Sequence, residues 1–276
     1  MTGTMGVIGC GKMAYALVGG LGSGDTKFYE QLYVCDPSDE RIALFQEKFH
    51  AISADRDQLI NEADIILLAV KPQQIKTVIT NLPECSNKRK LFVSIAAGIS
   101  TSELENNLGK KSPVIRVMPN TPCLVGAGMS VVAGGRYASQ EELLLVQRMF
   151  GSVGQAIIME EHYMDAVTAV SGSGPAYVFL LVEAMIEAGV NVGLPADLAR
   201  QLVLQTFQGG VAMLTDSNEH PAVLKAQVCS PQGTTIAGVR KMEEYGIRTA
   251  FFEAIDAAYQ RSMELGQLKS SEGSNI

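Results

Sequence analysis

The sequence predicts an α/β chain, with a doubly wound parallel sheet in the N-terminal part and an all-helical C-terminal part. Three observations carry this. A glycine-rich turn, Gly9-Cys10-Gly11 with Ala14 behind it, joins a short apolar run to a helical pattern. Short apolar runs then alternate with helical patterns to about residue 160, as in sheets built from right-handed crossovers. Beyond 160 the short runs stop and long helical patterns take over.

The first strand, at 4–8, leads into the turn. Its G-x-G-x-x-A pattern gives each position a task in dinucleotide binding: Gly9 for a sharp turn, Gly11 for close approach of a pyrophosphate, Ala14 for helix–sheet packing. The amides and dipole of the helix start face the phosphates. Taken alone, the motif is equally an ordinary strand-to-helix turn; its place between a strand and a helix favours the nucleotide. Residues 32–35 form the second strand, ending in Asp36. Residues 39–49 form a helix with Ile42, Phe45 and Phe49 on one face. The unbroken apolar run 64–70 suits a parallel strand buried on both faces, and it ends at Lys71-Pro72. Runs 91–95 and 114–118 are further strands, leading into Ala96-Ala97-Gly98 and Pro119-Asn120-Thr121-Pro122. Runs 129–133 and 156–159 read as added edge strands.

Helices are expected at 174–188, 195–214, 221–228, 231–245 and about 248–265, before a frayed polar tail at 267–276. The first is apolar nearly all round, which calls for burial on several sides. Gly209-Gly210 in the second permits close helix approach or a bend. The last carries Phe252, Ile255, Tyr259 and Met263 on one stripe. Two domains follow, 1–160 and 161–276. The apolar helix faces exceed what one small core needs, so the helical half is expected to form a homodimer; the alternative is a self-contained monomeric bundle.

The 276 residues carry a formal net charge of −7. That opposes nucleic acid or an anionic membrane as partner, while a small anionic ligand needs only local positive ends. Cys10, Cys35, Cys85, Cys123 and Cys229 have no C-x-x-C spacing, which suits reduced thiols in a cytoplasmic compartment. The three histidines are far apart, so no metal site is expected. No signal peptide is expected ahead of so early a glycine turn. The apolar stretch 176–182 falls short of the ~20 residues of a bilayer span, and the expectation is a soluble protein.

Ligands of such a sheet bind outside the carboxyl ends of its strands. That marks Ile8, Gly9, Cys10, Gly11, Lys12 and Met13; Asp36 with Ser38; Ala69, Val70, Lys71 and Pro72; and Ala96 with Ala97. Asp36 can hold the ribose 2′-hydroxyl of NADH and would repel the extra phosphate of NADPH. Ser38 and Arg41 close behind can offset that repulsion, and Asp36 also fits as a cap of the next helix, so both cofactors stay open, with a modest lean to NADH being usable. Two helix starts, at 170–176 and 230–236, combine small hydroxyl residues, free amides and a first-turn proline. Each can be a plain cap. Two of them beside a nucleotide fold favour an anionic substrate site. No Ser-His-Asp or Cys-His arrangement stands out, which fits hydride transfer, a reaction that needs positioning more than a nucleophile.

At this point the stretches 8–14, 69–73, 94–98, 116–122, 164–177 and 220–236 are recognisable in their order. The chain resembles the pyrroline-5-carboxylate reductase family. The resemblance implies a Rossmann-type domain binding NADPH or NADH, and a helical dimerisation domain whose dimers assemble into a larger ring. It implies reduction of 1-pyrroline-5-carboxylate to L-proline, the final step of proline biosynthesis, with substrate between the nicotinamide and the 230–235 loop near the dimer interface. Ser171, Ser230, Gln232, Gly233, Thr234 and Thr235 become the substrate-binding set, with Thr235 at the family threonine that hydrogen-bonds the ring nitrogen. Gln232 replaces the first glycine of the family loop. Ala226 stands where many relatives carry an acid, Cys229 where many carry threonine, and Arg56 where relatives often have asparagine near the adenosine. The rivals are another imine reductase or hydroxyacid dehydrogenase, which would want a Lys or Asp general acid in the helical half, and a non-catalytic nucleotide sensor.

Overall fold

The computed structural model describes residues 3–22, 28–80, 89–108 and 111–271; Cys85 and residues 272–276 of the expected tail lie outside them. In chain order the elements are β1 (Gly3–Ile8), α1 (Lys12–Leu21), β2 (Tyr29–Cys35), α2 (Asp39–Phe49), β3 (Ile52–Ser53), α3 (Arg56–Glu62), β4 (Ile65–Leu68) and α4 (Pro72–Thr80). Then come β5 (Leu91–Ser94), α5 (Thr101–Leu108), β6 (Val114–Met118), a 3-10 turn at Thr121–Val125, β7 (Gly128–Gly134), α6 (Gln140–Gly151) and β8 (Gly154–Ile158). The helical part holds α7 (Met164–Val167), a π-helical turn (Thr168–Gly172), α8 (Gly174–Asn191), α9 (Ala196–Ser217), α10 (Pro221–Val228), α11 (Thr234–Glu244) and α12 (Ile247–Ser271).

The strands form one sheet of order β3-β2-β1-β4-β5-β6-β7-β8. Alternate residues feed two cores. Met5, Val7, Leu67, Val93 and Ile115 face Leu17, Val18 and Phe45. Ile8, Ile66, Leu68 and Phe92 face Leu59, Ile75 and Ile99. Burial on both faces, at about 1.5–3 kcal/mol for each large apolar side chain, is why these strands read as unbroken apolar runs. Local signals set the helix starts: Ser38 accepts from Arg41 N–H and Asp55 from Gln58 N–H, and Ser139 with Glu142 forms a reciprocal capping box.

Several expectations need correction. The sheet is not wholly parallel, because β7 runs antiparallel to β6. Only a short 3-10 turn joins them, too short for a crossover helix, so the chain must double back. β2 begins at Tyr29 rather than at 32. β3 is two exposed residues and carries no apolar signal. α12 continues into the polar stretch as far as Ser271.

By contacts the chain divides into two compact units. The first holds the described residues to Ser173 together with those from Ala258 on; the second is Gly174–Ala257. In the first, the start of the helical part is tied to the sheet. The Glu161 carboxylate accepts from Thr101 N–H (2.7 Å) and Thr101 Oγ1 (2.5 Å), and it pairs with the buried Arg116 at 3.3 Å. Ser262 of α12 donates to Asp165 at 2.6 Å.

In the second unit α8 has no buried residue in the single chain. Phe179 is 64% exposed and Phe252 78%. The burial expected for α8 is therefore not supplied within one chain; its apolar character calls for a covering surface from outside. The helix start expected at 170–176 falls at Gly174, where α8 begins directly after the π turn with Pro175 in its first turn. The π turn joins α7 to α8, and residues Glu161–Asn191 form a continuous helical stretch 31 residues long. By length and composition that stretch could cross a membrane, so the expectation drawn from residues 176–182 alone measured too short a segment.

Candidate functional site

The strand order reverses between β1 and β4, the switch point where a doubly wound sheet opens a crevice at its carboxyl edge. The expected cofactor residues gather there. Gly9 N–H donates to Cys35 O (2.9 Å), and Ala69 N–H to Ile8 O (2.8 Å), so the ends of β1, β2 and β4 are laced together. Ala96 and Ala97 follow β5 on the same edge, and Lys71 and Lys12 are exposed there. Pro72 opens α4, and Val70 stands beside Gly9.

Gly9 has φ +98°, and a Cβ there would lie 2.7 Å from Ala69 O. Gly11 differs: its φ of −78° suits any residue, and a Cβ on it would meet nothing within 4 Å. Gly11 is the N-cap of α1, and no side chain caps the turn. The first helical bond is Tyr15 N–H to Gly11 O, which leaves the amides at Lys12 and Met13 to face outward. An open space over uncapped amides at a helix start is what a pyrophosphate fits.

Asp36 is more deeply engaged than its position in the sequence conveys. Its side chain is 3% exposed. One oxygen accepts from Cys10 N–H (2.7 Å) and the other from Ser38 N–H (2.9 Å), with Arg41 at 3.8 Å. Asp36 thus pins the glycine turn to the end of β2. Burial, with the neighbouring Asp36 carboxylate, pushes the Cys10 thiol up to about 12, so Cys10 stays a thiol at neutral pH and is a poor nucleophile. Burial likewise raises the Cys35 thiol, against the pull of the nearby Arg56 guanidinium. Arg41 and Arg56 thereby place two cations beside the carboxyl end of β2, at Asp36 and Cys35.

Ser171 lies in the π turn, and its hydroxyl donates to Val167 O at 3.1 Å. Its carbonyl accepts from Asn120 Nδ2 at 3.0 Å. Asn120, just after β6, also accepts from Met129 N–H at 2.9 Å. Sequence reasoning put Asn120 on the sheet edge but gave it no partner; the missing signal was Pro175, whose lack of an N–H frees the Ser171 carbonyl.

In the second unit, Ser230 to Gly233 form a turn closed by Gly233 N–H to Ser230 O (3.0 Å). α11 starts at Thr234, so Pro231 sits in the turn, ahead of a helix that the sequence pattern begins at 231. Gly233 is the N-cap, and again no side chain caps the helix. Thr234 and Thr235 are exposed on the first turn. Gln232 is held at φ +59°, the turn position that glycine favours. A non-glycine residue there costs about 1–2 kcal/mol, offset in part by the freer unfolded chain that glycine brings. Gln232→Gly is therefore expected to raise the thermal midpoint by about 1–3 °C. A rise in the KM of the carboxylate substrate on the same change would show that the Gln232 side chain contacts it.

Among the described residues no three His, Cys, Asp or Glu side chains cluster as a metal site. Comparison with known proteins gives consistent results. Residues 161–265 match the family model for pyrroline-5-carboxylate reductase dimerisation, and residues 4–98 the model for NADP oxidoreductase, coenzyme F420-dependent. The chain is 42% identical to a pyrroline-5-carboxylate reductase of Corynebacterium melassecola, over 96% of this chain and 99% of that one. It is 39% identical to that of Escherichia coli, over 95% and 98%. Among solved structures, a pyrroline-5-carboxylate reductase from Coxiella burnetii superposes with TM-score 0.88 at 34% identity, covering 96% and 99%. The Plasmodium falciparum pyrroline carboxylate reductase with NADP bound gives 0.85 at 32%, covering 96% and 98%.

Proposed function

The chain belongs to the pyrroline-5-carboxylate reductase family, and from that premise we propose how its own residues carry the reaction. It reduces 1-pyrroline-5-carboxylate to L-proline with NAD(P)H. When bound, the cofactor supplies the hydride that the imine carbon accepts. The cofactor site we assign is the carboxyl edge of the sheet, with Gly9 to Met13 at the pyrophosphate, Ser38, Arg41 and Arg56 at the adenosine end, and Ala69 to Pro72 with Ala96 and Ala97 along the rest. The open space at Gly11 supports this most directly. Because Asp36 turns its carboxylate inward onto Cys10 N–H, its repulsion of a 2′-phosphate is weakened, and the two arginines favour one; NADPH is the expected better cofactor.

The substrate carboxylate is assigned to the uncapped start of α11, with Ser230, Gln232, Gly233 and Thr234. Its amides and dipole hold an anion without a basic side chain. Thr235 is assigned to the ring nitrogen. As the C=N electron pair moves onto nitrogen, a hydroxyl donor stabilises the growing charge, and the proton itself comes from solvent because threonine is too weak an acid to give it up. Residues 1–160 form the dinucleotide-binding half and 161–276 the substrate and dimerisation half.

The partner we assign to the exposed apolar helices is a second copy, since they fall within the segment matched to the dimerisation model. That explains an apolar helix without a bilayer, and a larger ring of dimers in the cytoplasm is the further expectation. The deciding experiment supplies 1-pyrroline-5-carboxylate with NADPH or NADH and follows cofactor oxidation and proline together. Proline should form with both and faster with NADPH; no proline with either would sink the reading.

A further inference from the structure

We propose that Asn120 is a positioning residue for this reaction: its side-chain amide fixes the π turn at Ser171 and Gly172 against the carboxyl edge of the sheet. Proline at 175 removes the N–H that would bond the Ser171 carbonyl four residues back, and its ring crowds that carbonyl. The helix responds with a wider turn, in which Ser173 N–H reaches Thr168 O at 2.8 Å. The freed Ser171 carbonyl takes its donor from Asn120 Nδ2 at 3.0 Å.

Asn120 is diverted to this task. It stands at the N-cap of the 3-10 turn after β6, where asparagine ordinarily caps its own helix, yet it makes no such bond. Its two ends instead join Ser171 O and Met129 N–H, and it is 9% exposed. Met118, also at the end of β6, reaches the same turn, since a Cβ on Gly172 would lie 2.7 Å from its terminal methyl. The carboxyl end of β6 therefore dictates where the π turn stands. Single π turns inside α-helices recur at functional sites, and a misplacement of about 1 Å can lower turnover up to 100-fold.

The inference rests on the reading that the π turn belongs to the active site, and a double-mutant cycle on the full-length enzyme tests it. In Asn120→Ala, kcat should fall about tenfold or more while the Kd for NADPH stays within about twofold. Pro175→Ala restores an amide to the Ser171 carbonyl, so the fold loss in kcat caused by Asn120→Ala should be clearly smaller in the Pro175→Ala background than in the parent. Loss of the Met129 bond is common to both backgrounds and cancels. Asn120→Asp keeps the acceptor for Met129 and removes the donor; it repeats the cycle if the alanine variant folds poorly. Independent, multiplying losses in kcat, or an unchanged kcat in Asn120→Ala, would overturn the assignment. Ser171→Ala tests the underlying reading separately, because the Asn120 bond is to backbone and survives it. Normal kinetics in Ser171→Ala sinks the role of that hydroxyl; an uncoupled cycle sinks the role of Asn120.

Discussion

Gly11→Ala should fold like the parent and lose most of its affinity for NAD(P)H. The backbone at Gly11 has φ −78° and ψ 177°, which alanine adopts freely, and its Cβ would meet no atom within 4 Å. The change in stability should stay within about 1 kcal/mol, the scale of an N-cap substitution. The same methyl projects into the space assigned to the pyrophosphate. Displacing it forfeits charge-assisted hydrogen bonds of about 1.5–3 kcal/mol each, so the Kd should rise roughly 100-fold. Gly9→Ala is the contrasting case. At φ +98° its Cβ would press on Ala69 O at 2.7 Å and on Val70 at 2.9 Å, and β4 cannot retreat from a sheet packed on both faces. Strain and overpacking together cost several kcal/mol, and the expected outcome is a protein that unfolds early or does not accumulate. Thermal melting with cofactor titration separates the two. Normal NAD(P)H binding by a folded Gly11→Ala enzyme would remove the phosphate role of this turn.

The pair also shows what the sequence could reveal. Both glycines were visible in the motif, and their separate tasks followed from the turn geometry. Residues 39–49 were legible to the residue, because Ser38 caps the helix and the apolar face repeats at helical spacing. β4 and β6 stood out because strands buried on both faces leave unbroken apolar runs. β3 left no trace, being two exposed residues held by pairing with β2 alone. Asp36 was legible as a residue at the end of a strand, but its inward hydrogen bond to Cys10 N–H depends on a contact 26 positions away. The Gly-Ser-Gly-Pro stretch at 172–175 carried the signals of a helix start. α8 does start there, at Gly174, but it follows directly on the π turn, and a side chain remote in sequence satisfies the carbonyl that proline leaves without a donor. The exposure of α8 is likewise a property of one chain, while its apolar composition calls for a covering surface.

Thr235→Ala should slow turnover about 10- to 100-fold, within the usual range for a group acting on a proton-bearing atom, with NAD(P)H affinity within about twofold of the parent. Thr235 is exposed on the first turn of α11 and its side chain caps neither this helix nor any other described element, so the substitution removes no side-chain bond that holds the fold. Alanine is also the better helix former, and the melting temperature should hold. The effect should fall on kcat, because the hydroxyl interacts most strongly when the C=N pair has moved onto nitrogen, and an interaction made mainly in the transition state shows in kcat. Thr235→Ser keeps the donor without the methyl and should recover most of the activity. A rise in KM at constant kcat would instead make Thr235 part of the carboxylate cradle, alongside Thr234 and the amides. Near-normal kinetics in Thr235→Ala would leave the nitrogen to solvent alone, and the start of α11 would then serve the reaction only by holding the carboxylate.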